Sequence, residues 1–421
     1  MWNALPSLSP RPDPSHLRRL KPLTSEQYEE RRNKFIRAID ENAICTLASA
    51  HNKNLPCRIA ESRTANGSFN ICFFLHFHTV DKTWVVRVPL EPVLHNAWDK
   101  VQSEVCTMRQ ISPFPGSMRT AATDFSATSR RNIMIMDCVE GGSLTDKKIL
   151  ESPQERRLQF YTELVDILAQ LRTLEFPVGG SLMPHWSAWS KPAVSEVLSI
   201  PLNQFQTDGY PTSVKSTKSA VEFINEQYRI LWETYLLPAS DMSRKGLEKE
   251  LFALDAIKKW LPKLDDNNTR RQFVLAHTDL RYSNIMVDDL LHIQGIIDWE
   301  WACTVPTQMF IPPAWIITSD VMFSEFRCAL TSRRDSSAGR SLLMHQWTQD
   351  NEINLHITNI LRQSSQLTSI FYRHIYPKLF TESRDVILSE YSTTRSGRWK
   401  WKGGCVLQSV TPNTSRITIS T

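Results

Sequence analysis

A chain of 421 residues, 41% hydrophobic and 22% charged, is too long for one ordinary core and too apolar for a disordered or collagenous chain, so two lobes or two domains are expected. The net charge of +5 is mild, and the basic pairs Arg31-Arg32, Arg130-Arg131 and Arg270-Arg271 are scattered; nucleic acid is therefore not indicated, while phosphate-bearing small ligands remain compatible. Eight cysteines without a CxxC pair read as free thiols, the Pro-containing N-terminus lacks a signal-peptide core, and no run approaches the ~18 apolar residues of a membrane span, so a cytoplasmic protein with no membrane partner is expected.

After a Pro-rich leader, residues 25–44 read as one amphipathic helix capped at Ser25, with Tyr28, Phe35 and Ile39 on one face. Three β-rich runs follow, "CRIAESRT", "FNICFFLHF" and "TWVVRVPL", with turn signals between them, which is the pattern of an antiparallel meander. A helix is expected over residues 100–110, then strands over 117–124 and in "RNIMIMDCV", closed by the Gly-Gly break of "EGGSL". From about Pro153 the period becomes helical, with Leu158, Tyr161, Val165, Leu168 and Leu171 on one stripe. Further helices are expected over 218–236 and 247–261, and again to about Lys378. The final forty residues, rich in Ser and Thr, read as a poorly ordered or peripheral tail.

The helical half is interrupted at "LAHTDLRYSNIMVDDLLHIQGIIDWEW", where His277, Asp279 and Asn284 fit H-x-D-x-x-x-x-N and Asp298 follows fourteen residues after Asn284. Singly, an Asp or Asn here reads as a turn residue and a His as a structural one; the spacing and the β-run ending in Asp-Trp-Glu favour a site. With the upstream strands, these motifs resemble the protein-kinase-like fold and, within it, the aminoglycoside phosphotransferase family, especially its fungal-type branch, over residues 40–380. The resemblance implies an α+β bilobal fold with a small β-rich N-lobe (41–140) and a larger, mainly helical C-lobe (141–380), preceded by a leader and helix (1–40) and followed by a tail (381–421).

It also implies chemistry. Phosphoryl transfer asks the protein for orientation and charge neutralisation, so few residues suffice. Asp279 would orient or accept the proton of the attacking hydroxyl, and Arg281 would be either a charge clamp or a salt bridge holding the loop. Asn284 and Asp298 offer hard oxygen ligands suited to Mg²⁺, and His277 would brace the loop. ATP would meet the Gly67, Ser68 and Asn70 turn at its phosphates, Arg87 in the slot where many kinases carry lysine, Glu104 as the ion-pair partner of Arg87, and the backbone from Met136 through Cys138 to Glu140 at adenine.

The expected function is an ATP- and Mg²⁺-dependent kinase acting on a hydroxyl of a small metabolite. The alternative is a catalytically silent kinase-like binding module; a protein kinase is disfavoured by "DWE" in place of DFG and by the lack of an APE-like segment. Specificity is expected in residues 180–265 and 305–330, and neither acceptor nor oligomeric state can be read from the sequence.

Overall fold

In a computed structural model, residues 24–112, 132–185, 188–236, 243–264, 272–332, 337–348, 352–395, 399–402 and 405–408 are described. The first helix, α1 (Ser25–Arg37), opens on a reciprocal capping box: the Thr24 hydroxyl accepts from the Gln27 N–H (3.2 Å) and the Gln27 side chain accepts from the Thr24 N–H (3.0 Å). Asp40 then accepts from the N–H groups of Asn42 and Ala43 and starts a second helix, α2 (Glu41–His51). The single helix expected through Ile44 is therefore two, because a short carboxylate competes for backbone donors and restarts the helix at Asp40. Tyr28, Phe35, Ile36 and Ile39 pack on the sheet that follows, so this stretch is part of the lobe.

That sheet is antiparallel in the order β1 (Arg58–Asn66), β2 (Asn70–Phe77), β3 (Lys82–Pro89), β4 (Met134–Asp137). Ile71, Phe73, Leu75 and Phe77 alternate into the core while Cys72, Phe74 and His76 are half-buried, as the period-two repeat demands. Helix α3 (Ala97–Ile111), capped by Asn96, buries ten of its fifteen residues. The strand expected over 117–124 falls outside the described residues. In "EGGSL", Gly141 has φ +92°, and a Cβ there would stand 2.5 Å from the Val287 carbonyl oxygen, so this close turn requires glycine. It delivers β5 (Gly142–Ser143), which pairs antiparallel with Met286 and Val287.

The helical half is built on α4 (Gln154–Arg172), whose Phe160, Tyr161, Leu164, Val165, Leu168 and Leu171 are buried. A short strand, β6 (Glu175–Phe176), follows. A hairpin unexpected from the sequence, β7 (Ser181–His185) with β8 (Ala188–Ser195), packs against α3 and so ties the helical half to the sheet lobe. Helices α5 (Ile200–Thr207), α6 (Ala220–Leu236) and α7 (Arg244–Leu264) follow, then the strands of the quoted motif, then α8 (Asp320–Thr331), α9 (Ala338–Thr348) and α10 (Glu352–Arg362). No helix among the described residues is long and apolar enough to cross a membrane. Among the described residues, the Cys106 and Cys303 thiols are buried and the Cys328 thiol is exposed.

The expected tail is corrected at its start. Residues Arg384–Arg395 form α11, which buries Leu388 and Tyr391, the latter edge-on to Phe252 at 5.2 Å. The Ser and Thr content hid an amphipathic turn in which Ile387, Leu388 and Tyr391 share one face. Replacing Leu388 by Ala should lower unfolding stability by about 2–4 kcal/mol in urea titration. A loss below about 0.5 kcal/mol, as for a surface position, would restore the peripheral reading.

Candidate active site

Two loops meet because the strands at both of their ends are paired. The strand β9 (Phe273–Ala276) leads into residues 277–284 and β10 (Ile285–Val287) leaves them; β11 (Ile293–Ile296) leads into residues 297–302 and β12 (Cys303–Pro306) leaves them. Ala276 is opposite Cys303 and Ile285 is opposite Ile296, in antiparallel register. The two loops are thus bracketed front and back and must lie side by side. Hydrogen bonds stitch them: His277 Nε2 to the Ile297 carbonyl (2.9 Å), the Thr278 hydroxyl to the Trp301 carbonyl (2.7 Å), and the Ile297 N–H to the Asn284 carbonyl (2.9 Å). Burial lowers the His277 pKa against the pull of its neighbours, so the ring is neutral and braces the loop, tilted against the Trp299 ring with centroids 4.7 Å apart.

Asp279, 9% exposed, receives the Arg281 guanidinium on Oδ2 at 2.6 Å; burial nevertheless raises its pKa above the ordinary carboxylate value. Asn284 donates from Nδ2 to the Asp279 carbonyl at 2.9 Å, which fixes its amide and turns Oδ1 into the remaining acceptor. Asp298 sits at φ 67°, a left-handed backbone that costs of order 1–3 kcal/mol and is held by surrounding structure.

Arg87, on β3, gathers three carboxylates. It donates to Glu104 Oε1 at 2.6 Å, to Asp298 Oδ1 in a very short contact, and lies 3.0 Å from Glu300 Oε2. Lys100, 2% exposed and one helical turn before Glu104, pairs with Glu300 and with Asn70 Oδ1 (3.0 Å), while Asn70 Nδ2 donates to Glu300 at 2.6 Å. Burial alone would lower the Arg87 pKa, but Asp298, Glu104 and Glu300 hold it well above its ordinary value. Asp298 resists its own burial because Arg87 pulls its pKa down. Two cations against three carboxylates leave one excess negative charge, and burial pushes Glu104 up to about 7 despite Arg87 and Lys100.

The expected residues are not all brought together. Arg87, Glu104 and Asp298 join one cluster, with Asn284 and Asp279 stitched beside it. Gly67 and Ser68 are exposed in the β1–β2 turn, where the Gly67 carbonyl accepts from Arg32 at 3.1 Å. Asn70 departs from expectation: both ends of its amide are taken by Lys100 and Glu300, so it points inward instead of covering phosphates. Met136 lies in β4 opposite Val85, and the Cys138 N–H is spent on Thr83 (3.2 Å). By alternation, the groups turned to the open edge belong to Asp137 and Val139, one residue out of phase with the expected Met136 and Cys138.

Sequence reasoning missed Lys100, Glu300 and Trp301. Lys100 is four residues before Glu104 and Glu300 two after Asp298, a spacing signal that was present. Trp301, although it follows the catalytic-loop half, packs in the sheet-lobe core with its ring 5.0 Å from Phe69.

Glu300→Ala leaves Lys100 buried without its main carboxylate and should cost about 3–5 kcal/mol, whereas an apolar pair at both positions should recover most of that loss. A cost below 1 kcal/mol would show that Glu300 does not hold the lobes. Because folding raises the Glu104 pKa from its ordinary 4.5 to about 7, its stabilising contribution is full below about pH 4.5 and is lost as pH rises through 7. Wild-type stability relative to Glu104→Gln should therefore fall between pH 5 and 8 in urea titrations; a flat difference contradicts the raised pKa.

Residues 73–307, more than half of the chain, match the sequence profile described as the phosphotransferase enzyme family. Similar solved structures include a Plasmodium vivax ethanolamine kinase, 16% identical with TM-score 0.43, over 90% of this chain and 95% of that one. The GDP complex of wild-type aminoglycoside 2'-phosphotransferase-IIIa is 14% identical with TM-score 0.49, over 85% and 100%. A thermostable mutant of aminoglycoside phosphotransferase APH(4)-Ia with ADP and hygromycin B is 13% identical with TM-score 0.47, over 78% and 93%. No curated protein matches the chain. With its β-sheet lobe, its helical lobe and this profile, the chain is a protein-kinase-like bilobal protein that belongs to the phosphotransferase enzyme family.

Proposed function

We propose that this chain is a small-molecule kinase that transfers the γ-phosphoryl group of ATP, with Mg²⁺, to a hydroxyl group. The observation that carries this reading is Arg87 joining Glu104 to Asp298 while backbone hydrogen bonds lock the Asp279 loop against the same segment. The donor set fits the metal: Asn284 spends its Nδ2 on the Asp279 carbonyl and keeps its amide oxygen as an acceptor, Asp298 stays ionised, and both are hard oxygen ligands. When bound there, Mg²⁺ would neutralise phosphate charge.

The protein's own part is orientation. The residues around 137–140 would meet the adenine edge, with the sheet lobe to about residue 140 holding the nucleotide and the helical lobe the acceptor. Arg87 would turn one of its N–H groups to the phosphates while Glu104 fixes the guanidinium plane. Asp279 would align the acceptor hydroxyl and take its proton as the new O–P bond forms and the bond from the γ-phosphorus to the bridging oxygen breaks, releasing ADP. Arg281, held on one oxygen of Asp279, leaves the other for that hydroxyl and brings positive charge to the transferred group. Free thiols agree with a cytosolic protein.

Asp279→Ala should lower kcat of ADP release about 10²–10⁴-fold with nucleotide affinity within a few-fold of wild type. Asp298→Ala should abolish Mg²⁺-dependent nucleotide binding in calorimetry. Full turnover in Asp279→Ala would refute the assignment.

A further inference from the structure

A cavity of about 430 Å³ opens beside the catalytic loop, bounded by Arg281 and Tyr282, by Trp315, by α10, and by a π-helical turn, Phe371–Ile375. Such a turn, which widens the helix by one residue, is frequent at functional sites. Trp315 donates to the Leu280 carbonyl at 3.2 Å and its ring lies 4.3 Å from Tyr282, so this wall is fixed to the loop that carries Asp279. Of the two segments where specificity was expected, the cavity draws on 305–330, through Phe310, Ile311 and Trp315, and not on 180–265.

Its charge is one-sided. Arg281, Arg362 and Arg373 line it, and no Asp or Glu does among the described residues. Arg281 is already paired with Asp279. Arg362 is not paired with a carboxylate among the described residues: one Nη donates to the Met309 carbonyl, and its buried Nε has no acceptor. Burial pushes the Arg362 pKa down to about 10. One turn earlier, Asn359 is 2% exposed, and its buried Nδ2 also lacks an acceptor. Three guanidinium groups around one cavity, one of them held by Asp279 and none facing an acid in the lining among the described residues, favour an oxygen-bearing anion. Water in a cavity of this size can satisfy a donor but cannot neutralise the charge. A polycation would meet only like charge here.

Resting on the kinase reading above, we propose that this cavity holds the phosphate acceptor and that the acceptor is an anionic hydroxyl compound. Its carboxylate or phosphate sits at Arg362 beside Asn359, and its hydroxyl points toward Arg281 and the loop that carries Asp279. The family resemblance to enzymes that act on aminoglycosides therefore does not extend to acceptor charge.

The test is calorimetry on the full chain with Mg·ADP saturating, so that the nucleotide phosphate site is filled, using glycerate, glycerol 3-phosphate and spermidine as probes. At least one anion should bind, which of the two distinguishing carboxylate from phosphate, and spermidine should not. Affinity should fall at least tenfold in Arg362→Met and in Asn359→Asp. The second variant places a carboxylate one turn from Arg362 and should melt no lower than wild type, so its loss of binding is not unfolding. Anion binding that is absent, or unchanged in both variants, or binding of spermidine alone, overturns the proposal. Retained Mg·ADP binding in that case leaves the kinase reading standing; failure of Mg·ADP to bind while an anion still depends on Arg362 sinks the kinase reading and keeps the anion site.

Discussion

A buried guanidinium in contact with three carboxylates constrains everything around it. Arg87 comes from the sheet, Glu104 from the helix behind it, and Asp298 and Glu300 from the loop after β11. A charge so far from water is tolerated only when paired and hydrogen-bonded, so each partner must arrive in place for the others to be buried at all. Lys100 and Asn70 complete the closure by converging with Arg87 on one oxygen of Glu300, Oε2. The lobes are joined by electrostatics at the point where a phosphate would enter, and by Trp301 packing into the sheet core just beyond.

The same constraint explains the conformation of Asp298. A left-handed backbone at a non-glycine residue persists only where contacts on both sides hold it. Those contacts are Arg87 on its carboxylate and, one residue before it, the Ile297 carbonyl bonded by His277 and the Ile297 N–H bonded to Asn284. His277 is thus linked to the metal-ligand candidates through one peptide unit, without being a proton carrier.

The parts of the fold legible in the sequence were those with a strict period or a spaced motif. The meander was readable from the alternation in "FNICFFLHF", and the loop pair from H-x-D-x-x-x-x-N and Asp298. What escaped lacked local signal. The β7–β8 hairpin lacks a clean period-two alternation and is stabilised by packing on α3, a contact no window of sequence contains. Asn70 looked like a loop residue because its partners, Lys100 and Glu300, lie 30 and 230 positions away. Arg362 and Asn359 lie in a stretch that read only as helix; the fold places these residues on a cavity with no acid in its lining among the described residues. On the proposed reading, acceptor chemistry would depend on tertiary placement, while nucleotide chemistry would follow from motif spacing.

The most direct test of the central claim, that Asn284 and Asp298 share one divalent ion in front of Arg87, is a crystal structure with Mn²⁺ and ADP, read by anomalous scattering. The account predicts one manganese peak bonded to side-chain oxygens of both residues and to the nucleotide phosphates, with Arg87 still held by Glu104. Manganese and nucleotide bound away from these two side chains, or nucleotide seated with neither residue near its phosphates, would contradict it.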